Sequence, residues 1–191
     1  MVVAQRITIL TPEQLSAIGE AFFAAQQTGE TWVCDASIDD LAATILDRRQ
    51  RLRDVVASAF DASFGPQPVN AKGEAVWTAG QCADHIVNAQ YGAFEPAIIA
   101  LMTPGGEASF EQPLPADEVP APPALSRDAA LARLDGSTPD YERLLDGVPR
   151  AADLTPTLEH IYFGTINLKA TLLISAWHEQ GHAAQIERLS T

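Results

Sequence analysis

The chain has 191 residues, 47% of them apolar and 19% charged, which suits one domain with a single core. Its 25 acidic and 12 basic residues leave a net charge of −13, which repels phosphate backbones and excludes nucleic acid as an expected partner. No uncharged apolar stretch, Ile161 to Leu168 included, is long enough to cross a bilayer, and Met1 to Arg6 lacks the pattern of a signal peptide, so a cytoplasmic protein away from membranes is expected. Cys34 and Cys82, far apart in the sequence, read as free thiols in a reducing compartment.

The helix starts are well marked. Residues 5 to 10 suit a short extended piece. Thr11-Pro12-Glu13-Gln14 then combines a capping hydroxyl, a proline at the first helical position and a capping box, predicting a helix to about Gln27 that Gly29 ends. Ser37 opens a second helix with acidic residues near its positive end, and Leu41, Ile45, Leu52, Val56 and Phe60 form one apolar stripe that stops before Gly65-Pro66. Residues 63 to 75 read as a loop.

Thr78 and Gln81 form another capping box, at the head of a helix carrying Cys82, His85, Asn88 and Phe94; Pro96 is expected to kink it, and Thr103-Pro104-Gly105-Gly106 to end it. Residues 104 to 124 are proline-rich and aperiodic, a long crossover. Ser126 caps a helix to about Gly147; Gly136 and Pro139 interrupt it, yet Leu131, Leu134, Thr138, Tyr141, Leu145 and Val148 keep one phase, so one kinked helix is expected. Residues 150 to 166 read as a second connection, and a last helix runs from near Asn167 to about Leu189. No strand pattern stands out. The expectation is an all-α bundle in a single domain over residues 1–191, with residues 1–36 an N-terminal extension packed on its outside.

The chemistry-bearing pattern is His178-Glu179-Gln180-Gly181-His182. Histidines four apart on a helix stack one turn above the other and can grip one metal ion. The string also matches the H-E-x-x-H pattern of zinc proteases, in which the Glu is general base. The longer protease pattern would place Gly at 185 and His at 188, where this chain has Gln185 and Arg188, and the sequence ends at Thr191. A third ligand is therefore expected upstream, away from protease architecture. His85 lies on a helical face with Gln81, Cys82, Asn88 and Ala89, small or polar residues that can border a pocket. With His178 and His182 it would supply three nitrogens from two helices and leave a coordination position open. His160 sits in a loop and reads as a packing or hydrogen-bonding residue.

Three segments resemble a known family. Trp77-Thr78, six further residues and His85-Ile86 resemble the W-S/T-x-x-x-x-x-x-H-L/I signature of the DinB/YfiT-like superfamily. His160-x-x-Phe163-Gly164-x-x-Asn167 resembles its H-P-x-F-G segment, with Ile161 in place of the proline, and His178-x-x-x-His182-x-x-Gln185-Ile186 resembles its closing segment. The segment before Ser37 has no counterpart in these motifs. The resemblance implies a four-helix bundle of up-down-down-up connectivity with an extra N-terminal helix, one divalent metal on His85, His178 and His182, and a homodimer.

Zinc, nickel and iron all accept imidazole, so the metal stays open. A metal with three histidines and an open position can lower the pKa of a bound water or thiol. The resemblance suggests transfer of a low-molecular-weight thiol such as bacillithiol or mycothiol, or hydrolysis of a small molecule. The alternative is a non-catalytic, metal-binding stress-response bundle. Glu179 is a general-base candidate or a solvated-face residue, a quarter turn from the histidine face. Gln185 can orient a ligand imidazole or serve helix packing. Cys82 can approach the metal or be a small buried residue, and Asn88 is a pocket-lining candidate.

Overall fold

The computed structural model describes residues 7–29, 32, 34–69, 76–106, 121–160 and 163–190. Residues 5 and 6, Ile161, the end of the 63–75 loop and most of the 104–124 crossover lie outside them. Among the described residues the chain is mostly helical: α1 (Pro12–Thr28), α2 (Ile38–Ser58), α3 (Ala79–Ala89), α4 (Glu95–Met102), α5 (Arg127–Asp146) and α6 (Leu168–Leu189). A π-helical turn, Gln90–Phe94, joins α3 to α4, and a 3-10 turn, Asp61–Phe64, follows α2.

Capping residues start these helices where local hydrogen bonding dictates. Thr11 with Gln14, Ser37 with Asp40 and Thr78 with Gln81 form reciprocal capping boxes, while Ser126 and Asn167 cap α5 and α6. Gly29 closes α1 at φ 69°, in the left-handed region that costs glycine nothing. At the head of α3 a Cβ on Gly80 would stand 2.0 Å from the carbonyl oxygen of Leu125, so only glycine lets the chain entering α5 press against that turn.

Both proline interruptions lie within continuous helical chain. Pro96 lacks the N–H that its helix would bond to residue 92, and the chain widens into the π turn immediately before it. Pro139 sits inside α5, which nevertheless runs unbroken from Arg127 to Asp146.

The helices pack in a ring. α2 lies on α6 and α5, and α3 lies on α5 and α6. Arg48 bonds Gln180, Arg51 bonds Glu187 and Lys169 reaches back to Cys34, so α2 and α6 run the same way. Gln81 reaches Pro122, Arg133 holds Asp84 and Tyr91 bonds Asp140, so α3 and α5 run together too. Arg53 with Asp135 and Arg150 with Asp39 set α5 against the direction of α2. Helix α1 covers α6, with Leu15 and Phe22 buried and Gly19 against the Trp177 indole.

The core is two apolar clusters. One gathers Leu15, Phe22, Leu41, Ile45, Ile98, Tyr141 and Leu172; the other gathers Leu52, Val56, Ile86, Val87, Leu134, Ala183 and Ile186. On each of the four ring helices a buried polar residue separates them in sequence: Arg49, Gln90 (just past α3), Ser137 and Glu179. Phe60, expected in the α2 stripe, is 64% exposed, because α2 ends at Ser58 and the chain turns away.

The connection expected over 150–166 contains a hairpin. Thr157–His160 (β1) pairs antiparallel with Gly164–Asn167 (β2), with Thr157 opposite Asn167 and His160 opposite Gly164. Four-residue strands with only Ile166 buried are too short to show alternation in sequence. His160 thus sits in a strand rather than a loop.

Candidate metal centre

His85 is carried in the second turn of α3, whose start is set by the Thr78 cap and the Gly80 contact. His178 and His182 are one turn apart on α6. The fold brings them together. His85 Nε2 is 3.0 Å from His178 Nε2, and His182 Nε2 is 3.2 Å from His178 Nε2. Ligand atoms of all three lie within 4.8 Å of one another, and among the described residues no other group of histidine, cysteine and carboxylate side chains converges this way.

Aromatic rings frame the cluster. Trp77 stacks on His182, with centroids 6.0 Å apart and planes 6° apart, and meets His85 edge-on at 4.9 Å. Phe94 lies 5.6 Å from His178. These surroundings disfavour imidazolium. Burial, with the two neighbouring rings and Arg49 adding to it, holds His178 well below the usual histidine range. Burial and His85 push His182 down to about 4. Burial lowers His85 against the opposing pull of Asp84.

The donor set fits a divalent cation. Imidazoles ligate only when neutral, and these are held neutral. Nitrogens about 2.0–2.1 Å from a tetrahedral zinc stand about 3.3 Å apart, close to the 3.0 and 3.2 Å that separate His178 Nε2 from the other two. His182 Nδ1, the ring nitrogen remote from the cluster, is buried without a completed hydrogen bond. Gln185 lies near enough to favour the protonated form of His182, so the residue expected to orient that ring stands beside it without closing the bond.

Other expected site residues lie elsewhere. Glu179 is 3% exposed, which corrects the solvated-face reading: its Oε1 accepts from Arg49 Nε at 2.8 Å and Nη2 at 2.5 Å, while Oε2 is buried without a partner. The cause is that α2 packs on that flank of α6, so the quarter-turn offset leads into the core instead of into water. Cys82 is buried among apolar side chains, burial pushes its thiol up to about 12, and it is outside the converging group. Asn88 is exposed, its amide shared between Asp84 and Arg133 on the α5 side. His160 packs its ring against Phe163, 4.6 Å away.

Three contributors were not legible as such. Trp77 entered only as the first residue of a motif, although an aromatic just before the cap of a histidine-bearing helix was the available signal. Phe94 was hidden by the π turn. In an unbroken α-helix residues 85 and 94 fall on opposite faces; here both reach His178. Arg49 carries no motif that marks it among the charges of α2.

Neither the comparison with curated proteins nor that with solved structures gives a match. The DinB superfamily model matches residues 5–186, a span that includes α1, so the segment before Ser37 has a counterpart in the family even though it shares none of the three motifs. By that match, which covers all three converging histidines, the chain belongs to the DinB superfamily.

Proposed function

We propose that the protein is a metal-dependent enzyme acting on a small molecule, either transferring a low-molecular-weight thiol or carrying out a hydrolysis, with one divalent ion held by His85, His178 and His182. The observation that carries this reading is the meeting of three neutral imidazole nitrogens, contributed by two helices, at ligand spacing. An ion bound there would supply Lewis acidity toward a thiol or water. Trp77 and Phe94 would shield the reacting atoms from bulk water, Gln185 would orient His182, and Glu179 would serve as base only through Oε2, the oxygen Arg49 leaves free. Cys82 is read as packing and Asn88 as a rim residue.

The helix directions support an up-down-down-up four-helix bundle, with α1 as an addition on its outer face. A homodimer and a cytoplasmic setting belong to the same reading.

A second reading, a metal-binding bundle without catalysis, is favoured by one observation: the candidate base is already committed to a buried guanidinium. Elemental analysis of untagged protein, followed by a conjugation screen with several cellular thiols and a panel of hydrolysable esters and amides, tests both. About one metal per chain with turnover supports the enzyme. Metal with no turnover supports the second reading, and absence of metal from protein incubated with zinc, nickel and iron would overturn both.

A further inference from the structure

The two apolar halves of the core are separated by a connected polar layer. Arg49 is 1% exposed. Besides its two bonds to Glu179, its Nη1 donates to Gln90 Oε1 and to Ser137 Oγ, each at 2.9 Å. Gln90 donates onward to Glu95 Oε1 at 2.8 Å and to the Ser137 carbonyl at 3.3 Å. The guanidinium also lies 5.3 Å from the centre of the Tyr141 ring. Burying such a pair carries a desolvation cost, and apolar residues of similar volume generally serve stability as well or better. Stability alone therefore gives no reason for this layer.

Its placement gives one. Glu179 directly follows His178 in α6, and Gln90 opens the π turn that separates His85 from Phe94. From α2, the Arg49 fork thus holds both helices that carry the histidines. The magnitudes are unforgiving. An imidazole nitrogen stands well outside the ~2.3 Å radius of the Cα cylinder, so turning α6 by about 10° moves it by roughly 1 Å. Metal–ligand distances tolerate only about 0.2 Å.

We propose that Arg49 is a positioning residue: by gripping Glu179 on α6 and Gln90 at the π turn, it sets the rotation of the two helices so that the nitrogens of His85, His178 and His182 converge. Its relevance to metal rests on the proposed function, whereas the convergence itself can be measured without metal.

The test replaces both charges together, so that neither is stranded. R49M/E179L is expected to fold with a melting temperature equal to or above that of the parent. It is expected to bind Co(II) about 10- to 100-fold more weakly, the range seen when groups supporting ligands are lost, with an altered visible spectrum. In metal-free protein, the imidazole nitrogen NMR signals that report the Nε2 contacts are expected to shift toward those of isolated histidines. R49K, which cannot span three acceptors with a planar fork, is expected to do the same in milder form. A folded double variant with the parent's cobalt spectrum, affinity and imidazole signals would overturn the proposal. If the double variant does not fold, R49K and S137A decide by the same readouts, and parent-like behaviour in both overturns it. If the parent itself takes up no cobalt, the metal reading fails; the NMR comparison then decides the positioning claim alone, and unchanged imidazole signals in the variants overturn it.

Discussion

The Trp77 indole stacks on the His182 imidazole, the two planes 6° from parallel, while it meets His85 edge-on. One side chain therefore touches a ligand candidate on each of the two helices. That makes it both a wall of the site and a reporter on it. Co(II) or Ni(II) held by the histidines would sit close enough to quench the indole. Addition of either ion is expected to lower the tryptophan emission, and Trp77→Phe to remove most of that change while retaining metal within about tenfold. Equal fractional quenching in the variant, which keeps Trp32 and Trp177, would place the ion elsewhere.

The buried histidines make the metal-free fold sensitive to acid. Their folded-state pKa values are depressed, to about 4 for His182 and well below the usual range for His178. The unfolded chain takes up these protons near pH 6.5. Between the two values the unfolded state binds more protons, so stability is full above about pH 6.5 and drains away as pH falls toward 4. His182 alone contributes on the order of 3 kcal/mol across that window. Urea unfolding of metal-free protein at pH 7 and pH 5 is expected to show the loss, and a smaller one in His182→Gln. Bound metal is expected to stay at about pH 6 and to leave only as pH falls toward and below about 4, because ligation and protonation compete for the same nitrogens and burial holds these imidazoles neutral until then. Full retention through dialysis at about pH 3 would contradict the assignment.

Gly80 fixes where α3 begins relative to the chain entering α5. A Cβ there cannot coexist with the Leu125 carbonyl at 2.0 Å, so the backbone must move. Gly80→Ala is expected to cost about 1–3 kcal/mol, the usual range for overpacking. It should also shift His85, two turns or less away, and weaken metal binding. Thermal melts and cobalt titration read the two effects; parent values in both would show that the contact yields freely.

Tyr141 and Ser175 share a hydrogen bond deep in the core, with both side chains fully enclosed. Tyr141→Phe removes one partner and leaves the Ser175 hydroxyl without it. The expected cost is about 1–3 kcal/mol, without effect on metal stoichiometry, since neither residue belongs to the converging group of ligands. A melting temperature unchanged from the parent would mean Ser175 finds another partner.

Helix boundaries were readable because they depend on residues a few positions apart. Thr11 with Gln14, Ser37 with Asp40 and Thr78 with Gln81 satisfy one another's backbone groups whatever the rest of the chain does. The His178/His182 pair was readable for the same reason, since α-helical geometry alone puts residues four apart on one face. His85 needed the family motif, because nothing local links it to a helix more than ninety residues later.

What the residues alone determined is the set of helices, the paired histidines and the family. What only the tertiary structure decided is which surfaces meet. Glu179 could face water or core from its position on the wheel; the packing of α2 on α6 turned it to Arg49. Phe94 reached His178 because the π turn before Pro96 changed the helical phase, and the short hairpin formed because β1 and β2 pair with each other and Gln26 holds Thr165. The reason is range: capping and periodicity act within one or two turns of chain, whereas burial, ion pairing and ligand convergence depend on groups that folding alone makes neighbours.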